Sequence, residues 1–113
     1  MNRSPNERLA DVLAAIDRTL TYRPRLEDPD EAVASMAYDA VLRNLAVIGE
    51  AVRALPDEVK ARTADVPWAS IAGLRNVVVH EYFRVDAAVI EDVVDRDLVA
   101  LRDAIRTRLL EPE

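Results

Sequence analysis

Apolar residues recur along this chain at helical spacing. Leu9, Val12, Leu13, Ile16 and Leu20 follow the 3.6-residue period and predict the buried face of a helix over about 5–21. Ser4 precedes it as N-cap, Pro5 takes the first helical position and Glu7 completes a capping box. Proline disfavours helix in the residue before it, so Tyr22-Arg23-Pro24 predicts the end. A short loop follows.

Asp28 is the expected cap of a second helix, with Pro29 at its first position and Glu31 in its first turn. This helix, the longest, is predicted to reach about Leu55. Ala37, Val41, Asn44, Ile48, Ala51 and Leu55 form a seam with the spacing of a bundle core. Beside it runs a row of Met36, Ala40, Arg43, Val47, Glu50 and Ala54. Arg43, Asn44 and Glu50 are thus expected on or beside the buried face. Gly49 sits among them, where it weakens the helix but admits another backbone.

Pro56 and Asp57 start a short helix to about Thr63, and Asp65-Val66-Pro67 reads as a turn. A helix then begins at Trp68 or Ala69, with Ile71, Leu74, Val78 and Val77 on its apolar side. Asp86 is placed to cap a last helical region over 87 to about 110. There Ile90, Val94, Leu98, Leu101, Ile105 and Leu109 keep the bundle period, and Asp95-Arg96-Asp97 marks a kink or break. The expected fold is all-α: an antiparallel four-helix up-and-down bundle with a short additional helix, forming one domain over 1–113.

Composition adds limits. Half of the 113 residues are apolar, enough for a core. No cysteine is present, so disulfides and thiolate metal sites are excluded. No apolar run approaches the roughly 20 residues that span a bilayer. The start, MNRSPNERLAD, lacks the apolar core of a signal peptide. A cytoplasmic protein away from membranes is expected. The formal charge of −6 argues against a nucleic-acid binder unless a local basic patch exists.

Candidate chemistry gathers in IAGLRNVVVHEYFRVD, residues 71–86. It holds Arg75, Asn76, the lone histidine His80, and Tyr82. A lone histidine is more often structural than catalytic, yet its pKa range suits acid–base work. A metal site is not expected, because no second histidine, cysteine or paired carboxylate accompanies it. On an ideal helix Asn76 and His80 share a side, whereas Arg75 is turned from His80 by roughly 140°. Arg75 and Tyr82 face alike, so Tyr82 and His80 share a pocket only if the helix ends or bends near Glu81. Charges on a core-facing row need partners. Arg43, Asn44 and Glu50 are therefore expected to face this cluster, with Glu50 holding Arg75 or Arg43. An ordinary buried salt-bridge network would satisfy the same residues.

RNVVVHEY resembles the R-x4-H-x-Y signature of HepT-like proteins, within the HEPN superfamily of prokaryotic ribonucleases. RNLAVIGEA at 43–51, Pro67-Trp68, IAGLRN and HEYFRVD are also similar to that family, and the resemblance covers roughly residues 30 to 105. It implies a helical homodimer that cuts RNA without metal or other cofactor, as the toxin of a toxin–antitoxin pair. Arg75 and His80 would be catalytic: Arg75 at the scissile phosphate, His80 as general acid or base while the ribose 2′-hydroxyl attacks. Asn76 would orient the motif. The product would carry a 2′,3′-cyclic phosphate. The resemblance further implies an MNT-type nucleotidyltransferase antitoxin as partner, which would inactivate the toxin by adding AMP to Tyr82. The alternative is a non-catalytic dimeric helical binding module, or the substrate-binding subunit of a nucleotidyltransferase, with the polar cluster serving only its interface.

Overall fold

The computed structural model describes residues 4–81 and 86–109, with only the backbone of Glu81. The regular structure of those residues is entirely helical, joined by short turns, with no strand among them. The all-α expectation therefore holds.

Helix α1 spans Pro5–Tyr22, and its Ser4 cap accepts the Glu7 N–H at 3.2 Å. Leu9, Val12 and Ile16 are fully buried, while Leu13 and Leu20 pack partly buried against the core. Pro24 does not release the chain into a loop. The helix tightens into a 3-10 turn, Arg23–Glu27, because proline fits the first turn of a new helical segment. Arg23 anchors this turn to the helical stretch that holds Glu91 and Asp95. Its guanidinium meets Asp95 at 2.9 Å and Glu91 at 3.2 Å, and holds the Asp95 carboxyl below the usual carboxylate range.

Helix α2 spans Glu31–Arg53. Its cap is Asp30, which accepts the Ala32 N–H at 3.0 Å, and not Asp28. Asp28 instead accepts the Asp30 N–H at 2.8 Å. Two aspartates thus act in series, the first shaping the turn and the second capping. The helix closes at Arg53, two residues before the expected Leu55. By length and composition alone α2 is long and apolar enough to cross a bilayer, although Asp39, Arg43 and Glu50 interrupt its apolar run. Its buried seam, Ala37, Val41, Asn44, Ile48 and Val52, faces protein.

Short helices α3 (Asp57–Ala61) and α4 (Trp68–Ala72) lead to α5 (Leu74–Glu81). The Trp68 indole N–H donates to the Thr63 carbonyl at 3.0 Å and closes the turn between α3 and α4. Ile71 and Leu74 are buried and Val78 half-buried, whereas Val77 is 41% exposed. Asp86 caps α6 (Ala87–Asp92) by accepting the Ala88 N–H at 2.8 Å. The chain then passes through a π-helical segment, Val93–Leu98, into α7 (Val99–Ala104) and a second π segment, Ile105–Leu109. The expected break at Asp95-Arg96-Asp97 is thus a widening that keeps Ile90, Val94, Leu98, Leu101, Ile105 and Leu109 buried.

Helix α2 is the hub, in contact with α1, the 3-10 turn, α4 and α5, while α1 also meets the final helical stretch. The approach of α5 is set by Gly49. A Cβ there would lie 2.8 Å from the Arg75 nitrogen and 3.1 Å from the Ile71 carbonyl oxygen. Both are backbone atoms of the segment that carries the R-x4-H motif, so a side chain cannot be accommodated by a rotamer change. Alanine would gain about 1 kcal/mol of helix propensity, but overpacking against rigid backbone costs about 1–3 kcal/mol. Gly49→Ala is expected to lower stability on balance in urea unfolding followed by circular dichroism. An unchanged or higher midpoint would show that α5 moves aside freely.

Candidate active site

Three helices converge on an open cleft of about 730 Å³. Helix α2 forms its floor with Arg43, Ala46, Val47, Glu50, Ala51 and Ala54. Helix α1 supplies one wall with Arg8 and Asp11, and α5 the other with Arg75 and Val79. Apart from Arg43 and Glu50 the floor is made of Val47 and alanines, while Leu42, Leu45 and Ile48 of α2 point into the core. Polar groups stand around the rim.

The central contact is Arg75 Nε to Glu50 Oε2 at 3.1 Å. Both side chains remain open to solvent, at 44% and 63% exposure. Glu50 therefore orients Arg75 without burying it. A guanidinium has five N–H donors in a planar fork, so one carboxylate does not exhaust its capacity for a phosphate. Arg43 lines the same cleft and is exposed. The expectation of a charged buried row is corrected here: Arg43 and Glu50 lie at the surface, and of the three α2 residues only Asn44 is buried.

Asn44 is not part of the cleft. Its Oδ1 accepts the Arg18 Nε–H at 3.0 Å, and its Nδ2 donates to the Ala40 carbonyl at 2.8 Å. Consecutive residues on a helix diverge by about 100°, so Arg43 faces solvent while Asn44 faces α1. An unpartnered buried amide would cost about 1–3 kcal/mol, and Arg18 removes that penalty while tying α1 to α2.

Asn76 and His80 are exposed on α5, one turn apart on the same side. Neither lines the cleft that holds Arg75. Within one protomer the arginine and the histidine thus occupy adjoining faces of one helix, not one pocket. Val77 and Val79 flank this face, 41% and 54% exposed. Tyr82 lies outside the described residues, as does the question of how α5 continues beyond Glu81. Among the described residues, no group of three His, Asp or Glu side chains is arranged to hold a metal.

Sequence reasoning missed Arg8 and Asp11. Both sit on the polar side of α1, where a charged residue reads as ordinary solvated surface. Only the packing of α1 against α2 brings them to the rim.

These features define a small all-helical domain with an arginine-rimmed cleft and an exposed histidine on the adjoining helix face. A family model described as Ribonuclease HepT-like matches residues 12–108, and the chain belongs to that family. It is 30% identical over 102 residues to a protein of Thermococcus cleftensis named a probable ribonuclease HepT, covering 90% of this chain and 93% of that one. It is 37% identical over 67 residues to a protein of Caldanaerobacter subterraneus named as a candidate RNase, covering 59% of this chain and 60% of that one. A longer protein of Methanocaldococcus jannaschii, named gamma-glutamylcyclotransferase and candidate RNase, is 30% identical over 94 residues. That match covers 83% of this chain but 42% of the archaeal protein. No solved structure matches.

The exposure of the Glu50–Arg75 pair makes a prediction about its role. Solvent-exposed ion pairs contribute about 0–1 kcal/mol. Glu50→Gln should therefore change unfolding free energy by less than about 1 kcal/mol in urea titration. A larger loss would mean that the pair holds the α2–α5 contact together and is not primarily an orienting device.

Proposed function

We propose that this protein is an endoribonuclease toxin that works as a homodimer and needs no metal. The observation that carries this reading is the Arg75 guanidinium, held by Glu50 at the lip of an open cleft, on the same helix as an exposed His80. Membership in the HepT-like family supports RNA as the substrate.

In the proposed reaction a ribose 2′-oxygen attacks the adjacent phosphorus. The 2′-O–P bond forms and the P–O5′ bond breaks. His80 acts as general acid or base, taking the 2′-hydroxyl proton or supplying one to the 5′-oxygen. Arg75 donates hydrogen bonds to the non-bridging oxygens as charge builds on them, which is where a fixed cation contributes most. The ends left are a 2′,3′-cyclic phosphate and a 5′-hydroxyl. Asn76, one turn before His80, orients it. Arg43 adds positive potential on the α2 side.

Two copies suit this geometry better than one. Arg75 and His80 occupy adjoining faces of α5, and the exposed Val77 and Val79 beside them give that helix an apolar surface to cover. A second protomer meeting this face would bring two motifs together and line a groove between them. We read the fold as the up-and-down four-helix bundle of the family and the setting as the cytoplasm. The same valines favour one further reading, a non-catalytic dimeric module in which Arg75 and His80 serve the interface. In that case substitutions at these residues would weaken the dimer with no cleavage to lose.

The test is cleavage of RNA by purified protein in EDTA. General acid–base catalysis contributes about 10²–10⁴-fold. His80→Ala should retain its circular dichroism spectrum and dimer mass while losing cleavage by about that factor. Cleavage at the wild-type rate in His80→Ala would sink the mechanism.

Regulation is proposed at Tyr82, two residues beyond His80. An MNT-type nucleotidyltransferase would transfer AMP from ATP to the phenol oxygen, releasing pyrophosphate. The added phosphate would compete with RNA phosphate for Arg75. With that enzyme and ATP, mass spectrometry should show gains of whole AMP units on wild type and none on Tyr82→Phe. Equal gains on both would place the modification elsewhere.

A further inference from the structure

We infer that Arg8, on the α1 wall, is an RNA-binding residue that holds a phosphate flanking the cleavage site; this rests on the ribonuclease reading above. The starting point is charge. The chain carries 15 lysines and arginines against 21 acidic residues, so an approaching polyanion is repelled by the molecule as a whole. Binding therefore needs a place where the sign reverses. The cleft is such a place: Arg8, Arg43 and Arg75 line it against Asp11 and Glu50, a formal balance of +1 in a chain of −6.

The three arginines come from three different helices, one on each side of the α2 floor and one on it. Glu50 is engaged with Arg75. Among the described residues, no carboxylate pairs with Arg8 or Arg43, and both line the cleft. Arg8 faces the cleft from the wall opposite Arg75. A strand whose scissile phosphate sits at Arg75 and whose chain crosses Val47 would pass Arg8. The volume, about 730 Å³, lies within the range of ordinary ligand sites. The family model matches from residue 12, so Arg8 lies outside the residues that the model covers. Asp11, one turn along the same wall, opposes it and limits how tightly any polyanion is held.

The test is fluorescence anisotropy of a labelled single-stranded RNA oligonucleotide, at graded salt, on protein carrying His80→Ala so that the probe stays intact. Adding Arg8→Gln should weaken binding by about tenfold. It should also reduce the slope of log affinity against log salt by about 0.7, the loss of one phosphate contact on a single strand. Asp11→Asn should act in the opposite direction and tighten binding. With His80 present, Arg8→Gln should raise KM and leave kcat nearly unchanged. Arg96→Gln, on the exposed surface of the final helical stretch, controls for net charge. An unaltered salt slope in Arg8→Gln, or an equal loss in Arg96→Gln, overturns the assignment. So does a shift of Arg8→Gln to monomer in sedimentation, which would place Arg8 in a subunit contact. Failure of wild type to cleave RNA would instead overturn the ribonuclease reading, and the anisotropy slope would still decide Arg8.

Discussion

The approach of α5 to α2 at Gly49 governs the geometry of the arginine-rimmed cleft. Backbone atoms of residues 71, 72 and 75 lie where a side chain at position 49 would have to be. Such proximity is open only to glycine, and it places the Arg75 backbone directly on α2. Glu50, the next residue, is then within reach of the Arg75 side chain. One missing Cβ thus sets where the motif helix sits and which carboxylate meets its arginine. The loss in helix propensity at Gly49, about 1 kcal/mol, is small beside the packing that this contact permits.

Helix α2 separates two kinds of polar work by rotation alone. Asn44 turns inward and is satisfied by Arg18 and by its own helix. Arg43 and Glu50 turn outward to the cleft. The inward amide contributes to stability because leaving it unpaired would be costly. The outward pair contributes little to stability, since water screens both partners, and is free to serve a ligand. Exposure leaves the Arg75 guanidinium open to solvent on the cleft side, within reach of an anion without any unfolding.

The helices were largely legible from periodicity, because a buried stripe must repeat every three or four residues whatever it packs against. Ser4 and Asp86 were identifiable as caps for a similarly local reason. The α2 cap was misplaced by two residues because Asp28 and Asp30 both suit the role, and only the turn between them decides which one closes the helix. Pro24 predicts a stop, yet it sits in the first turn of a 3-10 segment that begins at Arg23; the rule for prolines does not register the Arg23 anchor to Asp95, 72 positions along the chain.

By itself the sequence determined that the chain is helical, most of the residues that form the core, that residue 49 can admit a close neighbour, and that Arg75 and His80 are separated around their helix. These follow from local spacing and from the chemistry of single residues. The tertiary structure decided that Arg43 and Glu50 are exposed while Asn44 is buried, because exposure depends on which helix covers each degree of arc. It also decided that Arg8 and Asp11 belong to the rim, because their distance from Arg75 along the chain says nothing of the gap that α1 and α5 close across α2.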